Sequence, residues 1–423
     1  MSVIRISPGK SMVIALIWII SLASILCMLI RPRGVAEAWW TASGALLLTA
    51  TGLISVSVAG KAILKGVDVY LFLAGMMILS ELARENGVFD WIAERAADHA
   101  GGSPRRLFLL IYLVGTVVTA FLSNDATAVV LTPAVLAIVR RLKAEPVPYL
   151  LACAFIANAA SFLLPISNPA NLVIFASHMP PLPDWLAHFF LPSVAAIGVT
   201  FAGLRFMHRR ELAGKIETAL PKSSLLHGGR LALAALGVAA LTLITASACG
   251  WPLGLPTCGA ALLALLVVAW HDRSIPLRVI QGAAWSVIPL VAGLFVIVEA
   301  LQSAGMLGVV DTGLREAGGL SPLMGNLATA FSVGLLSNVM NNLPVGLIGG
   351  AAVHSTPTHA ALAPAVLVGV DLGPNLSVTG SLATILWLIA MRREGVRLTG
   401  WQFLKVGLVV MPLSLLGAIL VLR

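Results

Sequence analysis

Two polar strings set deep in apolar sequence constrain this chain more than any other feature. Ser123-Asn124-Asp125-Ala126-Thr127 interrupts one hydrophobic stretch, and Ser337-Asn338-Val339-Met340-Asn341-Asn342 interrupts another half a chain later. A proline follows each closely, Pro133 in the first case and Pro344 in the second. Clustered amides and hydroxyls cannot face lipid, because each unsatisfied polar group there costs several kcal/mol. A polar break that recurs in two halves of a membrane chain points to paired discontinuous elements around a central binding site. The first function class to consider is therefore a transporter.

Composition supports the membrane reading. The 423 residues are 59% hydrophobic and only 11% charged, with a mean hydropathy of +0.97. Three tyrosines and no long basic tract argue against a nucleic-acid partner. The four cysteines (Cys27, Cys153, Cys249, Cys258) show no CxxC spacing, so neither a thiolate metal site nor a disulfide framework is expected. Met12–Ile30 runs straight into Arg31-Pro32-Arg33 without a small-residue cleavage site, which favours a spanning helix over a signal peptide. No HExxH, GxSxG or Walker motif occurs, so an intramembrane hydrolase and an intrinsic ATPase are both unsupported.

Hydropathy predicts an all-α polytopic membrane protein with ten transmembrane helices. Spans fall near 12–30, 38–59, 67–84, 148–177 and 184–207, then near 229–249, 254–270, 281–303, 360–391 and 401–422. Between the third and fourth span of each half lies a stretch split by the polar motif, 105–142 and 321–352. Each arm reads as too short to cross a core of about 30 Å comfortably, which predicts two re-entrant hairpins with the motif at the tip.

The two halves keep register. Leu73-Ala74-Gly75 is followed by Glu81 and Gly87, as Val291-Ala292-Gly293 is by Glu299 and Gly305. Ser43-Gly44-Ala45 matches Cys258-Gly259-Ala260, and Ser123-Asn124 matches Ser337-Asn338. Ser167-Asn168-Pro169-Ala170-Asn171-Leu172 matches Gly380-Ser381-Leu382-Ala383-Thr384-Ile385. Such an ordered series implies duplication. An odd number of spans per half turns the second copy over, giving an inverted repeat with discontinuous helices. The expected domains are a first repeat at 1–208 with hairpin 105–142, a cytoplasmic linker at 209–228, and a second repeat at 229–423 with hairpin 321–352.

Charge gives an independent topology. Placing the loops after spans 1, 3, 5, 7 and 9 and the base of the first hairpin on one face leaves only Arg5, Lys10, Lys61, Lys65, Arg315 and Arg423 opposite. The basic face is then cytoplasmic. Both termini lie outside, the first hairpin opens from the cytoplasm, and the second opens from the other side. The net charge of +9 is thus a matter of topology. Segments 88–99 and 307–317 carry apolar residues at helical spacing (Val88, Trp91, Ile92, Ala96) and read as interfacial helices or ordinary surface helices.

Proline and glycine break the fourth span at Pro165-Ile166-Ser167-Asn168-Pro169-Ala170-Asn171 and the ninth at Asp371-Leu372-Gly373-Pro374-Asn375 and Gly380-Ser381. Such breaks free backbone groups, and with the hairpin tips they supply dipoles and neutral donors at the midplane. The expected substrate-binding residues are Asn124, Thr127, Asn168, Asn171, Asn341, Asn342, Ser381 and Thr384. Asp125 and Asp371 are the only acids inside the broken motifs, and an acid at membrane depth is by default functional, here a proton carrier. Helix capping is the rival role for Asp125. Glu81 and Glu299 occupy equivalent positions and read as structural acids. The eight histidines lie mainly in loops or near span ends and read as solvated or interfacial, so no metal site is expected.

Ser123-Asn124-Asp125 with Leu131-Thr132-Pro133, Met340-Asn341-Asn342-Leu343-Pro344, and Asp371-Leu372-Gly373-Pro374 with Gly380-Ser381-Leu382-Ala383-Thr384 together resemble the ArsB-type arsenite/antimonite efflux pump family of the ion transporter superfamily. The resemblance covers essentially the whole chain. Asn375 departs from it where a lysine looks common. The resemblance implies export of As(III) and Sb(III) hydroxides in exchange for protons across the inner (plasma) membrane of a bacterial or archaeal cell. No bound cofactor is implied, and a cytoplasmic arsenical pump ATPase is a possible partner in the family. Arsenous acid is largely an uncharged trihydroxide near neutral pH, which suits Asn, Ser and Thr. No Arg or Lys lies within the four motifs, which weighs against a dicarboxylate. A sodium-coupled carrier or Na⁺/H⁺ exchanger, and a passive membrane subunit of an ATP-driven pump, remain as alternatives.

Overall fold

The computed structural model describes residues 8–218 and 224–422. Arg5, Arg423 and linker residues 219–223, which enter the charge count and the domain scheme, lie outside the described residues.

Among the described residues the fold is entirely helical. The first half runs α1 (Pro8–Ile30), α2 (Glu37–Ala50), α3 (Val56–Lys65), α4 (Val67–Glu85), α5 (Val88–Ala100), α6 (Pro104–Leu122), α7 (Thr132–Arg141), α8 (Pro146–Ala159), α9 (Pro169–Phe175) and α10 (Leu182–Met207). The second runs α11 (His227–Ala248), α12 (Gly254–Ala269), α13 (Ile275–Gly282), α14 (Val287–Ser303), α15 (Met306–Gly318), α16 (Pro322–Met340), α17 (Asn342–Val353), α18 (Ala363–Leu372), α19 (Leu382–Arg393) and α20 (Gly400–Leu420). Apart from a single helical turn at Pro357–Ala360, each helix has a counterpart ten places later.

The correspondence extends to details that sequence fixes locally. Gly87 and Gly305 adopt left-handed backbone (φ 67° and 88°) and turn the chain sharply into α5 and α15. Asn168 and Ser381 cap α9 and α19 by accepting from the second N–H beyond them, at Ala170 and Ala383. Packing is reciprocal as well. A Cβ built on Gly75 of α4 would lie 2.7 Å from the Thr257 backbone of α12, and one on Gly293 of α14 would lie 2.7 Å from the Thr41 backbone of α2. Each half thus seats a helix directly on the other half's backbone.

Three expectations change. The predicted span 38–59 is two helices, because Gly52 takes left-handed backbone (φ 73°) and Ser55 caps α3 by accepting from Val58. Leu53, Ile54 and Val56 keep hydropathy high across this break and hide it. Next, α3 meets α4 at a bend of 48° across Gly66, so the third span does not begin as a free-standing helix. Finally, the leading arms of the hairpins are not short. Helices α6 and α16 have 19 residues each, about 28 Å at 1.5 Å per residue, enough to reach across a membrane core. Only the return arms are short.

Among the described residues seven stretches are long and apolar enough to cross a membrane alone, and up to eight if the bent pair is one span. The remaining crossings are assembled from shorter pieces such as α8 with α9 and α18 with α19.

Loops grouped by charge in the sequence do meet at one end of the bundle. Arg141 pairs with Glu94 at 3.1 Å, Lys143 with Glu217 at 2.7 Å, and Arg140 with Glu394 at 3.6 Å. Ile216 donates its backbone N–H to Gly102. Arg278 bridges Glu85 and Asp272, whose carboxyl is held below its ordinary range first by the Ser274 hydroxyl. Of the histidines expected to be solvated, His208 and His359 are buried, His359 lying 3.5 Å from Asp311. The segment at 88–99 is α5, with one face buried through Val88, Phe89, Ala93 and Ala97.

Replacing Gly75 or Gly293 by valine should lower the apparent melting temperature of the purified protein. The cost follows from overpacking, about 1–3 kcal/mol. The half-buried Gly259, with open space around its Cβ position, is the control that should change little.

Candidate functional site

The chain reverses at Ser123. That residue has φ 124°, ending α6, and a π-helical turn at Ala126–Leu131 leads into α7. The reversal is proved by Thr127, whose hydroxyl lies 2.8 Å from that of Thr119 and donates to the Gly115 carbonyl. A continuous helix would hold residues 115 and 127 about 18 Å apart. The second tip forms at Asn341, with φ 74°, whose side chain accepts from Leu343 N–H, and α17 packs back on α16.

The two broken crossings meet between these tips. Asn168 donates to Asp371 at 2.5 Å, and Asn158 donates to the Asn375 carboxamide oxygen at 3.0 Å. Asn375 in turn donates to the Phe155 carbonyl at 3.2 Å. One oxygen of the Asp371 carboxyl is therefore bonded, while the other is buried with no partner among the described residues. Asn375, where the resemblance leads one to look for lysine, is a fully buried neutral linker between the halves.

Asn171 donates to the Ser161 carbonyl at 2.9 Å and also reaches those of Leu164 and Pro165, holding the loop that breaks the first crossing. Thr384 donates to Val378 and Ser381 carbonyls in the second. Asn338 is a hub. Its oxygen accepts from the backbone N–H and hydroxyl of Ser377, and its amide donates to the Gly334 and Gly373 carbonyls at 2.8 Å. Asn341 donates to the Thr379 carbonyl. The second hairpin tip is thereby laced to the second broken crossing.

The first tip faces a cavity instead. About 120 Å³ of space lies between it, α4, the α13–α14 joint and the first turns of α9 and α19. Asp125, Ser123, Glu81, Met76, Pro169 and Leu382 are among its lining residues, which include no Lys or Arg. Asp125 has no hydrogen bond or ion pair among the described residues. Glu81 is clamped by Arg84 through Nε at 2.9 and 3.0 Å. By contrast Glu299, its counterpart, pairs with Lys65 at 2.8 Å. The space at the second tip, lined by Asn341, Glu37 and Leu382 among others, is only about 10 Å³.

Of the ten residues expected at the site, the structure places only Asp125 on the large cavity. Asn124 is buried beside it with its amide oxygen unpartnered. Asn168 and Ser381 sit at the helix starts whose next residues, Pro169 and Leu382, line it. Thr127, Asn171 and Thr384 bond within their own segments, Asn341 faces the small void, and Asn342 is buried.

A two-part architecture of broken crossings and unequal hairpin tips is that of a carrier, and comparison with known proteins agrees. The profile of the CitMHS family, described as citrate transporter, matches residues 12–370. The chain belongs to the CitMHS family. An arsenical pump membrane protein of Escherichia coli is 27% identical over 407 residues, covering 92% of this chain and 94% of its own length. That of Yersinia enterocolitica is 27% identical over 402 residues, covering 90% and 91%. An uncharacterised transporter of Mycobacterium tuberculosis is 28% identical over 372 residues, covering 82% and 83%. Among solved structures, the YdaH transporter of Alcanivorax borkumensis superposes with a TM-score of 0.55 at 14% identity, covering 87% of this chain and 86% of its own. That last likeness is one of fold. The profile and the arsenical pump relatives together bear out the ArsB-type resemblance, and this CitMHS chain is a multi-pass membrane transporter.

Sequence reasoning gave Asn338, Asn158 and Glu81 too little weight. Asn338 stood in plain view inside the second motif, but its reach across to residues 373–379 is a tertiary fact. Asn158 sits at the end of α8, one residue before the break, in a run of apolar neighbours that gives its own position no polar signature. Replacing Asn338 by alanine in the CitMHS chain should lower the melting temperature and leave less folded protein. Buried groups stripped of partners cost about 1–3 kcal/mol each.

Proposed function

We propose that this CitMHS-family transporter exports arsenite and antimonite as neutral trihydroxides in exchange for protons. The observation that carries the reading is the cavity at the first hairpin tip, lined by carboxyl groups and two helix starts but by no cation. Glu81 is already neutralised by Arg84, so a citrate trianion would meet the unpaired Asp125 with no Arg or Lys left over in the lining to balance its charge, which opposes citrate as cargo on electrostatic grounds. A small neutral hydroxide can donate its O–H groups to carboxylate and serine oxygens and accept from helix N–H groups. The 120 Å³ of space suffices for such a solute.

In this reading the halves 1–208 and 229–423 form an inverted repeat joined by the linker 209–228. The basic end is cytoplasmic, both termini lie outside, and the first hairpin opens inward. The contrast between 120 Å³ at the first tip and 10 Å³ at the second supports a state open toward the cytoplasm. Leu382 lines both spaces and is the wall that a switch of exposure must move.

Asp125 and Asp371 are the proposed proton carriers, one unpaired at the cavity and one with a free buried oxygen. Inward transfer of one net positive charge per cycle gains about 2.3 kcal/mol per 100 mV, roughly a fiftyfold gradient of neutral substrate.

Purified protein in liposomes should accumulate arsenite against a gradient when driven by a pH difference, without sodium or nucleotide. Asp125→Asn should reduce this proton-driven flux to background. Dependence on sodium would make the protein a cation-coupled carrier. Inactivity without an added ATPase would make it a passive pump subunit. Full flux in both Asp125→Asn and Asp371→Asn would remove the proton-carrier assignment.

A further inference from the structure

A second cavity lies far from the transport site, at the basic end. About 410 Å³ of open groove is framed by the start of α6 and the end of α10, lined by Arg105, Phe201, Arg205, Phe206, Arg209 and Leu212 among others. Three guanidinium groups converge on it, and none forms an ion pair with a carboxylate among the described residues. Arg209 instead lies 4.6 Å over the Phe206 ring. The acid nearest in sequence, Glu211, is turned toward His208 at 3.8 Å.

The groove is built on a rigid base. Tyr112 of α6 donates its hydroxyl to the Ile197 carbonyl of α10 at 2.7 Å, and Phe201 packs against Phe108 and Tyr112 with ring centres 5.6 and 5.2 Å away. Away from the groove α6 presents an apolar stripe. Leu109, Leu113 and Val117 are all exposed and follow Arg105 at intervals of four residues, along one face of a single helix. Phe190, Leu191 and Val194 are exposed on α10. A cationic pocket opening at one end onto an apolar track fits a molecule with an anionic head and hydrocarbon tails.

We infer that this groove is a binding site for an anionic phospholipid, its phosphate held by Arg105, Arg205 and Arg209 and its acyl chains laid along the exposed faces of α6 and α10. The arginine fork suits phosphate oxygens, and three such groups left without carboxylates select charge over a zwitterionic head. The site joins the leading arm of the first hairpin to α10, so an occupying lipid would tie a hairpin arm to its neighbour.

The test is native mass spectrometry of the full-length protein titrated with cardiolipin, with phosphatidylcholine, and with cardiolipin in the presence of inorganic phosphate. Cardiolipin should bind the wild type. Each single change R105Q, R205Q or R209Q should weaken it roughly fivefold, and the triple variant about a hundredfold. Phosphatidylcholine should bind wild type no better than cardiolipin binds the triple variant, and millimolar inorganic phosphate should not displace the lipid. If the triple variant fails to fold, the single variants read the same effect. Unchanged cardiolipin affinity in the variants, or equal binding of phosphatidylcholine, would overturn the proposal. Displacement by inorganic phosphate would overturn it too, in favour of a soluble-anion site.

Discussion

Everything at the centre of this protein depends on one constraint: a helix broken at membrane depth must find partners for the backbone groups it frees. Water is scarce there, and each orphaned N–H or C=O costs several kcal/mol. The chain meets that demand with side-chain amides and hydroxyls. Asn171 holds the carbonyls of the first break, Thr384 those of the second, and Asn338 binds the second hairpin to the second break from both sides. Asn168 and Ser381 finish the job by capping the helices that restart. Because these groups are engaged, the breaks are fixed objects, and the starts of α9 and α19 are held at the edge of a cavity.

The same demand explains what a reader of the sequence could and could not see. The polar strings, their duplication and the mid-span prolines were legible because they are local departures from apolar sequence. The gathering of basic loops at one end was legible because lipid enforces a charge bias along the chain. The roles of individual amides were not. Asn171 and Thr384 looked like donors for a substrate, yet they bond backbone a few residues away, since a break needs its own partners first. The division of the span expected at 38–59 into α2 and α3 was hidden by Leu53, Ile54 and Val56, which keep the hydropathy high while Gly52 turns the chain. Glu81 and Glu299 are equivalent in sequence, but Arg84 stands beside one and Lys65 beside the other, and only Glu81 reaches the cavity.

Symmetry builds the scaffold and its violation gives direction. Gly75 on Thr257 and Gly293 on Thr41 are matched contacts that lock the halves together. The hairpin tips are not matched. The second is laced into its broken crossing, whereas the first leaves Asp125 free at a cavity and Asn124 with a spare buried oxygen. Asp371, paired with Asn168 across the halves, has no acidic counterpart.

The account stands most directly on where the cargo sits. Antimony scatters anomalously, so diffraction from crystals grown with antimonite locates it without assumption. The account predicts a peak in the cavity between Asp125, Glu81 and the first turns of α9 and α19. A peak at a cysteine thiol, or beside Asn341 with the larger cavity empty, would contradict it.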